Sequence, residues 1–293
     1  MTDFIEIKND NFELTVAPKR GAKVMRFYSK REDFNILKPA IGSESINTGM
    51  FSLIPYSNRI RGGSFVYWGI KRNVPRNRKD ILDPIHGDGW SAEWKVMKTG
   101  QDYVEMSFDH DKAEGFPFSY SAEKKYTLRD DTLAINISIK NTGDLPMPCG
   151  MGIHPHFNKD GKISLKFRNR TTWADENSTL KQTPRKTDAI YNYENGKILD
   201  NSNIDLCFGG FDGHAEIEWI DKGLILNMDA HEDFNHVVLF SPKDSDFFCL
   251  EPATNATDAF NLASHGITGS GIQTIEPNEK LEGKIELRLN HKK

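Results

Sequence analysis

The 293 residues carry 38 Lys and Arg against 42 Asp and Glu, a formal net charge of -4, and 37% of them are apolar. A chain of this size can bury a large core unaided, which excludes disorder throughout, and its mild acidity gives no general attraction to nucleic acid or anionic lipid. No apolar run approaches the roughly 20 residues of a membrane-spanning helix. The opening MTDFIEIKND has no signal-peptide pattern, and Cys149, Cys207 and Cys249 form no CxxC or finger spacing. The expectation is a cytoplasmic protein with reduced thiols and neither membrane nor nucleic-acid partner.

Along the chain, apolar residues recur with period two, the pattern of strands with one buried face. Strands are predicted around Phe12/Leu14/Val16, Val104/Met106/Phe108, Leu133/Ile135/Ile137/Ile139, Ile163/Leu165/Phe167, Ile217/Trp219, Leu224/Leu226/Met228 and Ile285/Leu287/Leu289. Turn signals punctuate them at Arg61-Gly62-Gly63, Asn141-Thr142-Gly143, Asn195-Gly196, Gly209-Gly210 and Asp212-Gly213. Helical stripes are scarce and strands do not alternate with helices, which argues against Rossmann and barrel architectures. The reading is all-β, a large antiparallel β-sandwich forming a single domain over residues 1–293. The polar, aperiodic stretch 174–203 is expected to be an excursion over the surface. Sheet edges allow either a monomer or a homodimer.

Several segments combine ionisable residues with turns. Tyr56–Gly63 presents the amide of Asn58 and the guanidinium of Arg59, or is a solvated hairpin corner. Ile85-His86-Gly87-Asp88-Gly89-Trp90 sets an imidazole among glycines, with an indole able to lie against a ligand's apolar face. In Gly150–Phe157, His154 and His156 share a face if the segment is a strand. His-x-His is also a metal arrangement of the cupin kind, but the glutamate expected after it is absent; alternatively one histidine moves protons while the other packs. Glu251 leaves the apolar run Phe247-Phe248-Cys249-Leu250, a position that desolvates it and raises its pKa. Asp205, among apolar neighbours, can accept hydrogen bonds from hydroxyls.

Taken in order, NRI with its Gly-rich turn (58–63), HGDGW (86–90), GIHPHF (152–157), IDLCF (204–208), LEPATNATDAFN (250–261) and the closing GIQTIEPNE (271–279) resemble the aldose 1-epimerase, or galactose mutarotase-like, family. The resemblance covers essentially the whole chain. It implies a β-supersandwich with an open cleft and an isomerase that interconverts the α and β anomers of a hexose or related sugar, with no metal and no organic cofactor. It also implies Glu251 as general base, His154 as general acid, and His86, Arg59 and Asp205 as substrate-binding residues, with Asn58 and Trp90 assigned more loosely. Opening a cyclic hemiacetal needs a proton taken from the anomeric hydroxyl and one given to the ring oxygen, which a carboxylate and an imidazolium together supply.

Two departures bear on specificity. His156 stands where many relatives have an aromatic residue such as tyrosine, and LEPATNATDAFN differs from the glutamate segment of the best-known galactose enzymes. The basic stretch 71–79, with Arg76 and Arg78, is either a solvated loop or an arm reaching the cleft, where guanidinium groups would bind a phosphate or sulfonate. A hexose-phosphate or other anionic-sugar 1-epimerase is therefore an alternative, and a non-catalytic carbohydrate-binding protein is another. A glycoside hydrolase using Glu251 and Asp205 is a third, separable by whether a glycosidic bond is cleaved.

Overall fold

The computed structural model describes residues 4–40, 45–173 and 184–292. Strand makes up 50% of the structure and helix 5%, and the strands gather into two large antiparallel sheets, as the alternation implied. Every strand read from the sequence is present, with its apolar members turned inward; Leu133, Ile135, Ile137 and Ile139 are all buried in Thr132–Asn141.

The eleven-stranded sheet runs in the order Ile5–Lys8, Phe12–Ala17, Lys23–Ser29, Met50–Leu53, Gly152–Asn158, Phe247–Ala253, His236–Ser241, Ile204–Gly209, Thr171–Trp173 and Arg185–Lys186, with Phe34–Asn35 paired to the third. The nine-stranded sheet runs from Lys197–Ile198 through Ile163–Phe167, His214–Trp219, Leu224–Ala230, Lys280–His291, Thr132–Asn141, Tyr120–Arg129 and Tyr103–His110 to Lys95–Thr99. The main hydrophobic cluster draws on both sheets, from Ile7 to Leu289. No helix among the described residues is long and apolar enough to cross a membrane.

Period two decides what remains for the other face of the eleven-stranded sheet. In its middle strands Ile153, Phe157, Leu206, Phe208, Val237, Leu239, Phe248 and Leu250 enter the main cluster. Their neighbours His154, His156, Asp205, Cys207, Val238, Phe240, Cys249 and Glu251 must then point the opposite way. On that second face Cys207 and Val238 cluster with Ala256 and with Leu262 of the short helix Ala259–Ser264. The three cysteines are unpaired and buried. One inward position breaks the polarity rule: Lys124, between Ala122 and Tyr126, is buried with its Nζ 4.4 Å from the Trp94 ring centroid. Its amine donates to the Gly21 carbonyl at 3.4 Å, and burial pushes its pKa down to about 7.

The stretch 174–203 lies partly outside the described residues; its remainder, 184–203, is anchored more firmly than its polarity suggested. Arg185–Lys186 edges the larger sheet and Lys197–Ile198 edges the smaller one. Two-residue edge strands leave no periodic signal, which is why the alternation vanished there. Between them Tyr193 is 1% exposed and stacks on Phe167 with centroids 4.8 Å apart. Tyr193→Ala should cost about 3 kcal/mol through the lost burial and the resulting cavity, read as a lowered urea midpoint with an unchanged slope.

Candidate active site

Four strands of the larger sheet supply the floor of the site. Along one cross-strand rung Glu251 faces Val238, which faces Cys207; along the next, His156 faces Cys249, which faces Phe240, which faces Asp205. His154 is paired on its other side with Phe51 of Met50–Leu53. The register brings His154 Nε2 to 3.3 Å from Glu251 Oε1. His154 packs in a triangle of rings with Phe51 and His156, each with its centroid 4.6 Å from its own and the two 5.8 Å from one another.

Loops supply the walls. Asn58 and His86 both have positive φ, 63° and 61°, a conformation tolerated because each braces the other. The His86 N–H donates to the Asn58 carbonyl at 2.9 Å, and the Asn58 N–H donates to His86 Nδ1 at 3.1 Å. Gly87 packs so closely on the Ile54 carbonyl that a Cβ would collide with it, and that carbonyl accepts from the N–H groups of Asp88 and Gly89. Asn77 clasps the same loop from the far side: its amide donates to the carbonyls of Ile85 (2.7 Å) and Gly87 (2.9 Å) and accepts from the Ile85 N–H (3.0 Å). Asn255, buried just beyond Glu251, exchanges two hydrogen bonds with the backbone of Ser57 and so ties the Asn58–Arg59 turn to the strand that carries Glu251.

These elements enclose a cavity of about 240 Å³ lined by Asn58, Arg59, His86, His154, Asp205 and Glu251, six of the seven residues the sequence singled out. Trp90 stands apart: it lines a neighbouring cavity of about 230 Å³ with Lys19, Arg20 and Lys23, and Phe51 forms a wall common to both. The basic stretch divides by position. Arg78 lines the main cavity and is paired with Asp80, whereas Arg76 turns back to the carbonyls of Arg78 and Lys79. Phe51, Asn77 and Asn255 escaped the sequence reading as functional residues. Asn77 and Asn255 lie inside stretches already singled out, but an asparagine gives no sign of which backbone it will bind.

Burial governs the electrostatics. It pushes the Glu251 carboxyl well above the ordinary carboxylate range, reinforced by the nearby negative charge of Asp205. It pushes His154 down to about 3, and His86 and His156 well below the usual imidazole value, so all three rings are neutral at pH 7. Glu251 Oε2 is buried with no hydrogen-bond partner among the described residues, an acceptor site that a ligand hydroxyl would satisfy. His154, His156 and Cys249 have ligand atoms within 4.8 Å of one another. Yet the two imidazoles are stacked within 10° of parallel, so their in-plane lone pairs lie in separate planes and do not meet on one ion.

Comparison with known proteins addresses the family and the fold. The aldose 1-epimerase family model matches residues 3–288. The chain belongs to the aldose 1-epimerase family. The uncharacterized Escherichia coli K12 protein YphB is 25% identical over 272 residues, 88% of this chain and 90% of its own. An E. coli K12 structure provisionally named an aldose 1-epimerase superposes with a TM-score of 0.89 at 23% identity, covering 98% of this chain and 99% of that one. A galactose mutarotase-like protein from Clostridium acetobutylicum gives 0.85 at 21% identity, covering 98% and 95%. At those identities the two structures show the fold, here the galactose mutarotase-like one.

The neutral histidines of this family member give a pH prediction. His86, His154, His156 and His236, the last pushed down to about 4 by burial, bind protons in the unfolded chain below about pH 6.5 that the folded state refuses. Their stabilisation is complete above that pH and is lost as the pH falls through the depressed values. Glu251 works in the opposite sense, its contribution being present below its unfolded pKa and lost as pH rises. Asp88 and Asp258, also raised by burial, act with Glu251, and the four histidines outnumber these carboxyls, so urea midpoints should fall between pH 7 and 5, each histidine contributing up to about 1.4 kcal/mol per pH unit. His236→Gln should remove its share of the slope.

Proposed function

We propose that the protein is an aldose 1-epimerase that interconverts the α and β anomers of a hexose by acid–base ring opening and closure. The observation that carries this reading is the 3.3 Å contact between Glu251 and His154 at the floor of the cavity. The two hemiacetal oxygens hang on one carbon, so the groups that serve them must themselves be neighbours.

The buried pair holds one exchangeable proton. Burial favours the neutral tautomer, with Glu251 as carboxylic acid and His154 as free imidazole. Passing that proton across the contact gives the carboxylate–imidazolium tautomer of the same net charge. In that form Glu251 takes the proton of the anomeric hydroxyl while His154 gives one to the ring oxygen. The C1–ring oxygen bond breaks, C1 becomes the aldehyde, and the pair is left in its neutral tautomer. Rotation about the bond from C1 to C2 turns the other face of the aldehyde toward the ring hydroxyl. Closure then runs the same transfers backwards. His86, Arg59, Asp205 and Asn58 orient the sugar, and the scheme needs neither metal nor organic cofactor.

Glu251→Gln and His154→Ala should each lower the rate of anomer exchange by about 10²–10⁴-fold, and the double variant should be little worse than either single one because the two act as a unit. One-dimensional exchange NMR on D-glucose and D-galactose reads this directly. Unchanged rates in both single variants, or release of sugar from a glycoside, would sink the proposal.

A second reading concerns substrate charge. Arg59 and Arg78 both line the cavity, and Arg78 also pairs with Asp80 outside the lining. Two guanidiniums on one cavity wall suit a sugar bearing a phosphate or sulfonate. Arg78→Gln should then raise KM for a hexose 6-phosphate about tenfold more than KM for the parent hexose, while Arg76→Gln, away from the cavity, should not discriminate between them. Equal effects of Arg78→Gln on both sugars would leave the neutral hexose as substrate.

A further inference from the structure

Two histidines of the cavity are locked by the backbone in opposite senses. His86 Nδ1 accepts the Asn58 N–H at 3.1 Å. A ring nitrogen that accepts carries no proton, so the proton of neutral His86 sits on Nε2, which is a donor. His156 Nδ1 lies 3.2 Å from the Gly49 carbonyl. A carbonyl only accepts, so here Nδ1 holds the proton and Nε2 is left with a lone pair. Both residues line the same cavity.

We propose that His156 is a specificity-determining residue of the sugar site, its Nε2 accepting a hydrogen bond from one ring hydroxyl of a hexopyranose while His86 binds with the opposite polarity. This rests on the sugar-binding part of the reading above. Packing alone does not explain an imidazole here. A phenyl ring would keep the stack on His154 and the contact with Phe247, whose centroid is 5.3 Å away, without placing a polar edge in a buried site. A buried acceptor is costly until a donor meets it, and a sugar hydroxyl is such a donor. A hydroxyl can serve either ring, so discrimination comes from position: an analogue lacking the hydroxyl that meets His156 Nε2 leaves that acceptor unpaired, whereas loss of a hydroxyl elsewhere does not.

The first test needs no sugar. In ¹H–¹⁵N correlation spectra of the ring nitrogens of the resting protein, His156, identified by the signal lost in His156→Gln, should carry its proton on Nδ1, and His86 on Nε2. The reverse tautomer at His156 overturns the proposal. The second test is equilibrium binding of D-glucose, D-galactose and their monodeoxy analogues by calorimetry. The wild type should lose about tenfold in affinity or more for the analogue lacking the recognised hydroxyl. His156→Phe should bind the parent hexose as weakly and show no further loss with that analogue, while His156→Gln, which keeps an acceptor, should restore part of the discrimination. The same deoxy penalty in wild type and His156→Phe, or no saturable binding of either hexose, overturns the assignment. Should His156→Phe fail to fold, the tautomer spectrum and the Gln variant decide. If the binding pattern holds but the wild type does not accelerate anomer exchange, the epimerase reading fails and the role of His156 stands.

Discussion

The register between Gly152–Asn158 and Phe247–Ala253 is the constraint on which the site depends. Facing side chains of an antiparallel pair stand about 5 Å apart at Cβ, the spacing that lets a histidine and a glutamate meet through their tips. A one-residue slip of the first strand would turn His154 and His156 toward the core and bring Ile153 into the cavity, and a slip of the second would do the same with Glu251 and Leu250. Ile153, Phe157, Phe248 and Leu250 prevent either slip by their burial on the reverse face. Core packing therefore fixes the geometry of the acid and base without touching either.

Burial of that pair would be expensive if its net charge changed during the reaction. The proposed scheme avoids this, because each half of the cycle exchanges one net-neutral tautomer for the other. A lone buried carboxylate or imidazolium would carry the full desolvation cost, whereas the 3.3 Å pair confines charge separation to a single contact. The neighbours follow the same logic. His86 and His156 stay neutral and bind through fixed lone pairs or N–H groups, so the formal charges in the cavity wall belong to Arg59, Arg78 and Asp205, and Asp205 is exposed.

Much of this was legible in the sequence because it depends on period two. Leu133 to Ile139 announce a strand by alternation, and the unbroken apolar run Phe247–Leu250 marks Glu251 as a carboxylate leaving a buried strand; Glu251 is 2% exposed. Six residues from five segments between positions 58 and 251 line one cavity, and they were legible because family-like motifs mark each segment. What stayed hidden depends on register or on backbone partners. Lys124 looks like a surface residue until the Trp94 ring and the Gly21 carbonyl are placed beside it. Nothing in the letters of the basic stretch tells that Arg76 folds back while Arg78 enters the cavity, since both follow from how Asn77, between them, seats on residues 85–87.

In the proposed scheme the acid–base pair sits on strands, while recognition is shared between the strand residues Asp205 and His156 and the loop residues Asn58, Arg59 and His86. The proton-moving pair sits on extended strands whose conformation any residue can adopt. Asn58 and His86 sit on left-handed turns that hold only because several hydrogen bonds over-determine them, including those from Asn77 and the mutual clasp. Strain of that kind is tolerable in a binding wall, where a displaced group weakens orientation, and damaging in an acid–base pair, where a small displacement breaks the proton path. Loops can therefore be rebuilt to fit a different sugar while the ladder and its two proton-transfer groups stay as they are. A chain 21–23% identical to two solved structures retains their fold because the ladder and the core packed behind it, not the loops, set that fold.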